Sequence, residues 1–353
     1  MSHVHPSCER PHRPDRRGSF GVSRGRPLPP GGDRSDLPAP ARRSPGWPLT
    51  RTGTLRVPRR VRDRLRAAVL LLASGVISAG AAAQDPAYFI TYTHHMEEPG
   101  ELEVALKPVI GSQRGGPGFV ASVLEFEYGA TGWWTTELYI AGQTTRRQGS
   151  VFTGVRWENR FRLLLEEHLV NPVLYVEYED VNGADKVMLD VVGHDVEADH
   201  REPIAASRRE REREVETKLI LSSQLDAWNV AGNIVAARNL AGEPWEFGYA
   251  VGASRPLAEA ARPEPCSFCP ENFALGIELY GGLGDSERFG LQDTSHYLAP
   301  VVAWTLPSGL TLRLSPGFGL NHESHRIVVR LGLSYEIGDF GAQVAHALGR
   351  SRT

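Results

Sequence analysis

Residues 122–143 read SVLEFEYGATGWWTTELYIAGQ, and this stretch decides the fold. In its first half Leu124 and Phe126 alternate with Glu125 and Glu127, and the second half alternates in the same way after a glycine-containing turn. Alternation with a period of two on both sides of a short turn predicts a β-hairpin. At least ten further segments follow the same rule, so the sequence predicts a sheet that repeats this unit.

The sequence before Gln84 has two parts. Residues 1–55 are rich in Arg, Pro, Gly and Ser without apolar periodicity, and we interpret them as disordered or as non-native sequence upstream of a start near residues 55–61. Residues 56–83 combine several arginines, an apolar stretch over 67–79 and three final alanines, which is the pattern of a cleaved secretory signal peptide. A permanent anchor is the alternative, but the apolar stretch is shorter than the roughly 20 residues of a spanning helix.

The alternating segments number twelve between residues 101 and 337, and most are about ten residues long, as a tilted membrane-crossing strand requires. The segment over 151–165 places four charges on one face, which cannot lie in lipid and must face a polar interior. We therefore predict an all-β fold: an antiparallel transmembrane β-barrel of about 12 strands over residues 84–353, in an outer membrane. A soluble periplasmic β-sandwich is the alternative.

The connections between the segments differ in length at the two ends. Four of the five connections at one end are short, as periplasmic turns are, and four tryptophans near them predict an aromatic girdle. The other end carries the longest connection, over residues 180–213. Loops of this length are usually functional or disordered. We hypothesise that this one folds into the mouth of the barrel and that its carboxylates gate the entry of cations.

The charged residues on the inward face are the best candidates for function, because rings of charge set ion selectivity in pores. The predicted lumen-lining residues are Glu125, Glu127, Glu137, Arg156, Glu158, Arg160, Arg162, Glu177, Glu179, Glu216, Lys218, Glu246, Glu278, Arg313, Arg330 and Glu336. They indicate a passive pore or a small-solute transporter of unknown substrate. The alternative is a structural or adhesive barrel, because interleaved Arg and Glu can form a paired network that plugs a narrow lumen.

The charge balance bears on the partners. The sequence after residue 83 contains 23 basic and 37 acidic side chains, which argues against nucleic acid, whose phosphates need a basic surface. Residues 208–216 look basic at first, but glutamates balance their arginines. The predicted partners are outer-membrane lipid, the barrel-assembly machinery, and small solutes or ions. No cofactor is predicted.

Cysteines, histidines and one serine raise three chemical alternatives. Cys266 and Cys269 lack the context of a redox or zinc motif, and in an exported protein they predict a local disulfide. The histidines lie mostly in predicted loops, so we predict no metal site. Residues 321–325, NHESH, contain the residue types of an esterase triad. Neighbours in one short loop do not easily reach the geometry of a nucleophile and its base, so we predict no enzyme, with a lipid hydrolase as a minor alternative.

The wording of five segments resembles a known group. LEFEYGATGWWTTELYIAGQ, RWENRFRL, NPVLYVEYE, KLILSSQLDAWNVAGN and WEFGYAVGASRPL resemble a group of uncharacterised bacterial outer-membrane β-barrel proteins, loosely similar to transporter-type barrels linked to aromatic degradation. The resemblance covers roughly residues 100–337 and implies the same fold and location, without catalytic residues. Many such barrels end on an aromatic residue of the last strand, whereas this chain continues from Ile337 to Thr353.

Overall fold

The computed structural model describes residues 87–112, 117–187, 191–194, 203–258, 260 and 266–347. The predicted N-terminal extension and the predicted signal peptide lie outside these residues. The described chain forms a closed barrel of antiparallel strands, in which each strand pairs with its neighbours in sequence and the last strand pairs with the first. The predicted all-β barrel is therefore confirmed.

Twelve strands make up this barrel. They are β1 (Leu102–Ser112), β2 (Gly118–Thr131), β3 (Trp134–Thr145), β4 (Gly149–Arg162), β5 (Asn171–Asn182), β6 (Arg211–Leu225), β7 (Trp228–Asn239), β8 (Glu246–Pro256), β9 (Phe273–Asp285), β10 (His296–Thr305), β11 (Leu310–Gly319) and β12 (Ile327–Ile337). Short helices α1 (Ile204–Ser207) and α2 (Phe340–Ala347) and a 3-10 turn (Pro270–Asn272) complete the described elements. None of these helices is long and apolar enough to cross a membrane.

The bounds differ from the predicted ones by a few residues. β4 was predicted to continue to Leu165, but it ends at Arg162, where its pairing with β5 ends opposite Val173. Leu163 to Leu165 continue the apolar residues of the segment, yet they lie exposed in the connection. Register with the neighbouring strand, which the alternation of one strand does not contain, sets the end.

The two ends of the barrel carry different connections. We call the end with the connections after β2, β4, β6, β8 and β10 the turn end, and the opposite end the loop end. Two connections at the turn end have only two residues: Gly132-Trp133 between β2 and β3, and Asp226-Ala227 between β6 and β7. In the second, Asp226 takes a φ of 52°. Left-handed conformations of this kind are typical of two-residue hairpin turns and are tolerated by Asp.

The strands turn an apolar surface outward. Residues such as Leu124, Leu138 and Ile140 alternate with buried neighbours and remain 37% to 44% exposed. Comparable exposed side chains occur on most strands, including Leu106, Val155, Trp157, Leu174, Leu219, Ile234, Val251, Leu279, Leu298, Leu314 and Leu331. A closed barrel with an apolar outer surface is the architecture of a transmembrane barrel, in which lipid covers that surface.

Aromatic side chains gather at the turn end. Trp134 stacks on Phe161, and Trp304 stacks on Phe273 with ring centroids 5.9 Å apart. The connection between β8 and β9 joins the second group, because the Trp304 indole N–H donates to the Ser267 carbonyl oxygen at 2.7 Å. Cys266 and Cys269 form a disulfide in the same connection. Amphipathic rings in such positions suit the boundary between lipid and water.

The sequence after β12 continues as helix α2 at the turn end. The ring of Phe340 meets the ring of Tyr128 edge-on, and the Gly341 N–H donates to the Gly100 carbonyl at 2.9 Å. Residues 337–347 are therefore tied to the point where the chain enters β1.

Candidate functional site

A row of acidic side chains winds up the inner wall of the barrel. Each member lies directly opposite the next one on the neighbouring strand, and nine of the ten positions are acidic. The row, which we call the acidic row, runs through Glu336, Glu103, Glu127, Glu137, Glu158, Glu177, Glu216, Ala237, Glu246 and Asp285. It begins near the turn end of β12 and reaches the loop end of β9. Like charges directly opposite each other destabilise a sheet, so neighbouring bases must compensate for this row.

Arg160 partly compensates the charge of three neighbouring members of the acidic row. Its guanidinium contacts the carboxylates of Glu127, Glu137 and Glu158, with 2.9 Å between Arg160 Nε and Glu158 Oε1 and 3.4 Å to Glu137. All four side chains are buried. Arginine suits such a position because its planar fork can donate to several carboxylates at once.

Two further bases lie beside the middle of the acidic row. Lys218 Nζ lies 2.7 Å from Glu216 Oε1. Arg156 Nε lies 3.9 Å from Glu177 and 2.8 Å from Glu179. These contacts place Arg160 and Lys218 on one side of the acidic row and Arg156 on the other, so bases border the row on both sides.

The remaining predicted lumen residues also lie on the inward face. Glu125 pairs with Lys107 at 2.6 Å, and Arg162 donates to the His94 carbonyl at 2.9 Å. Glu278 and Arg330 are buried, Glu246 and Arg313 are partly buried, and Glu336 is exposed at the turn-end rim. The sixteen predicted residues comprise ten acids and six bases, so their formal charge is negative.

The chain before β1 lies inside the barrel from Ala87 onward. Main-chain N–H groups of Phe89, Ile90 and Thr91 donate to the Glu278 carboxylate at 2.7–3.1 Å. The Asn233 amide accepts from the Tyr92 N–H at 2.7 Å and donates to the Tyr92 carbonyl at 2.9 Å. We call residues 87–99 the plug, because they occupy the turn-end half of the lumen.

Tyr92 of the plug meets the acidic row at the centre of the barrel. Its hydroxyl lies 3.1 Å from Glu158 Oε2 and 3.2 Å from the Tyr139 hydroxyl. The Lys218 ammonium lies 4.6 Å from the centre of the Tyr92 ring and 4.1 Å from that of Tyr175. A cation held between two aromatic faces and a carboxylate is well stabilised when water is excluded. The plug therefore completes the surroundings of a buried lysine.

Described parts of the long connection enter the loop-end half of the lumen, which is the position hypothesised for it. Val187, Val191 and Val192 are buried in one apolar cluster with wall residues and with Ile90 of the plug. Asp185 binds Arg156 at 2.8 Å, and the Gly193 N–H donates to the Phe247 carbonyl at 3.0 Å. We call the described residues 184–187 and 191–193 the inner loop. Asp190, Asp195, Glu197 and Asp199 lie outside the described residues.

This packing lowers the pKa of two side chains, one in the inner loop and one in the plug. Burial lowers the pKa of Lys186 in the inner loop, whose ammonium lies over the Phe119 ring. At the turn-end rim, burial lowers the pKa of the plug residue His94 to about 4, and the neighbouring His95 and Arg162 add to the effect. Both side chains lose charge stabilisation because they leave water on docking.

The loop over 321–325 does not assemble a nucleophile. Ser324 is fully buried, and its Oγ lies 2.6 Å from Asn321 Oδ1 and 2.9 Å from the His296 carbonyl oxygen. His325 is buried against Phe119, whereas His322 is exposed and pairs with Glu323. These groups stabilise the loop and point to different surroundings. Among the described residues, one buried group with the donors for a metal ion is Glu103, Glu125 and Glu127, whose ligand oxygens lie within 4.8 Å of one another.

Between the plug and the wall remains a cavity of about 120 Å³. It is lined by Tyr92 and Glu97 of the plug and by Glu103, Glu137 and Arg313 of the wall, among others. The predicted lumen-lining residues omit Glu103 and Asp285, and the sequence analysis does not predict the plug. Alternation over residues 101–108 places Glu103 on the inward face, whereas Asp285 is recognised only from the strand register, which sets it opposite Glu246.

No protein-family model and no curated protein matches the sequence. Solved structures with the same architecture include the COG4313 outer membrane channel from Pseudomonas putida F1, with a TM-score of 0.43 and 12% identity over 72% of this chain and 98% of that chain. The NanC porin has a TM-score of 0.40 and 10% identity over 66% of this chain and 98% of that one. LpxR from Salmonella typhimurium has a TM-score of 0.33 and 10% identity, with coverages of 66% and 99%.

Proposed function

We propose that the protein is a channel of the bacterial outer membrane that conducts small cations and that is closed in the conformation described here. The acidic row carries this proposal, because it lines the inner wall from one rim to the other. A continuous line of carboxylates attracts cations and repels anions along the whole path. The inner charges therefore resemble the lining of a pore more than scattered ion pairs.

The closed state is part of the proposal. The plug and the inner loop lie inside the barrel and are not part of its wall. Both contribute side chains to one apolar cluster. Without them the lumen of a twelve-strand barrel has room for water and small solutes. The negative charge of the inner wall specifies the solute as a small cation.

Export and assembly complete the proposal. Residues 56–83 direct the chain across the inner membrane and are removed, and the barrel-assembly machinery inserts the mature barrel into lipid. The turn end faces the periplasm and the loop end faces outward, because short turns inside and long loops outside are the rule for such barrels.

A structural barrel with a permanently closed lumen is the second candidate. The buried, paired charges around Arg160 and the apolar cluster that joins plug and inner loop favour it, since both are properties of a solid core.

Planar-bilayer recording separates the two candidates. The mature barrel and a variant that begins at Glu97 would be refolded, checked for heat-modifiable migration on a gel, and inserted into a bilayer. The channel predicts discrete conductance steps, at least in the truncated variant. Correctly folded barrels that remain silent in both forms would contradict the channel and support the structural barrel.

A further inference from the structure

The wall of the barrel is shaped around the plug. Inward-facing glycines lie at some of the points where the plug comes close to the wall, and a side chain at those positions would collide with the plug. A Cβ atom at Gly276 would lie 2.7 Å from the Ala87 carbonyl oxygen, and one at Gly252 would lie 2.6 Å from the Tyr88 ring. Real Cβ atoms do not come this close to other atoms. This part of the seat is therefore built into two paired strands, β8 and β9.

The plug is held by side chains and not by strand pairing. Three successive N–H groups donate to the Glu278 carboxylate. The Asn233 amide bonds both the N–H and the carbonyl of Tyr92, and the Ser222 hydroxyl accepts from the His94 N–H at 2.8 Å. Since all twelve strands are paired with each other, the plug can leave without breaking the sheet.

The joint between plug and wall is a glycine. Gly100 has a φ of 94° and open space around it, and its N–H binds the Gly129 carbonyl at 2.7 Å. Glycine adopts such a conformation without strain and can change it readily. The plug is thus attached to β1 at a point that tolerates rotation.

Departure of the plug would change the middle of the acidic row. Tyr92 covers Lys218 and touches Glu158, so its removal would expose both groups to water. Buried charges regain hydration when this happens, which offsets part of the lost contacts.

We propose that the plug is a displaceable gate and that its seat is a binding site for an extended peptide. This inference rests on the proposed channel. In the seat, Glu278 accepts three successive main-chain N–H groups and Asn233 pairs with both main-chain polar groups of Tyr92. Gly276 leaves room for the Ala87 carbonyl and Gly252 for the Tyr88 ring. Such a site recognises main chain as a strand edge does, with pockets for alternate side chains.

The test replaces the plug in trans. A mature chain beginning at Glu97 would be compared with the complete mature chain, and a synthetic peptide of residues 87–96, AYFITYTHHM, would be added to the shortened one. We expect at least a tenfold higher open probability in the shortened chain and its reversal by the peptide. Binding of a fluorescently labelled peptide to the shortened barrel would be measured separately in detergent, so that occupancy of the seat is observed without conductance.

A matched pair of variants tests the seat. Gly276→Val in the shortened chain should abolish peptide binding and closure. Gly232→Val should leave both unchanged, because open space surrounds Gly232. Heat-modifiable migration confirms that both variants fold.

Each outcome decides between the two proposals. Equal conductance of the complete and shortened chains overturns the gate and leaves the channel standing. Peptide binding to barrels that never conduct overturns the channel, and the gate with it, while the peptide site remains. Conductance that rises on truncation without peptide binding, or with binding unaffected by Gly276→Val, overturns the assigned seat.

Discussion

Arg160 shows how single residues make the inner wall possible. Three carboxylates that face one another across adjacent strands converge on its guanidinium. Removing one partner of a buried charge network leaves the others unpaired, which usually costs more than the network contributes. The exposed pair between Arg211 and Asp180 at the loop end has similar chemistry but lies in water.

Arg160→Met should therefore lower the free energy of unfolding by about 3–5 kcal/mol, whereas Arg211→Met should lower it far less, because its ion pair is exposed to water. Urea titration of the barrel in lipid vesicles, followed by tryptophan fluorescence, measures both. Equal effects of the two substitutions would show that the central carboxylates do not depend on Arg160.

His94 gives plug docking a pH dependence. Its pKa is lowered to about 4 in the docked plug, against about 6.5 for a free histidine. Docking therefore has its full strength above pH 6.5 and weakens as the pH falls toward 4, because the undocked histidine binds the extra proton. The groups facing it are His95, Arg162, Ser222 and Glu167. The labelled peptide should bind the shortened barrel more weakly at pH 4.5 than at pH 7.5, and a peptide with Gln at position 94 should lose this difference.

The inner loop is part of the connection between β5 and β6, which is much longer than the turn of an ordinary hairpin. Val192 forms an isolated bridge with Gly248, and its side chain is buried in the apolar cluster. Lys186 is buried nearby and is thus shielded from proteases.

Val192→Asp should release the inner loop and speed tryptic cleavage after Lys186 about tenfold or more. An unpaired buried charge costs more than about 1.4 kcal/mol, which is a factor of ten in the docking equilibrium. The barrel itself should stay heat-resistant. Leu291→Asp, at an exposed position of another loop-end connection, serves as the control. Unchanged cleavage at Lys186 would contradict docking of this segment.

The strands and the position of the long connection could be predicted from the sequence, and the plug could not. Residues such as Leu124 and Glu125 face lipid and lumen in turn. Because the two environments differ in polarity, apolar and charged residues alternate along the strand with a period of two. Ile90 and Val187 instead lie among wall residues on several sides, so their segments carry no such period. The acidic row depends on which residues stand opposite each other across strands, and alternation along one strand does not contain that information.

The barrel as a whole separates two environments. Its outer wall is apolar at mid-height, and its inner wall is charged along the entire acidic row. Leu124 lies in the middle of β2, opposite Ile140. Leu124→Arg should lower the free energy of unfolding in a bilayer by about 2–4 kcal/mol, because a charge near the midplane of the membrane is costly.

Leu320→Arg, beyond the end of β11, is the control and should cost far less, since its side chain lies exposed in a loop-end connection. Urea titration in vesicles compares the two variants. A similar small cost for both would contradict a lipid-facing outer wall.

The most direct test of the account is the reversal potential of the barrel without its plug, recorded across a KCl gradient. The acidic row predicts that potassium permeates in preference to chloride, and that Glu137→Gln reduces this preference while Glu243→Gln, at an exposed turn outside the row, does not. A reversal potential of the opposite sign, showing preference for chloride, would contradict the acidic row as the lining of a cation path.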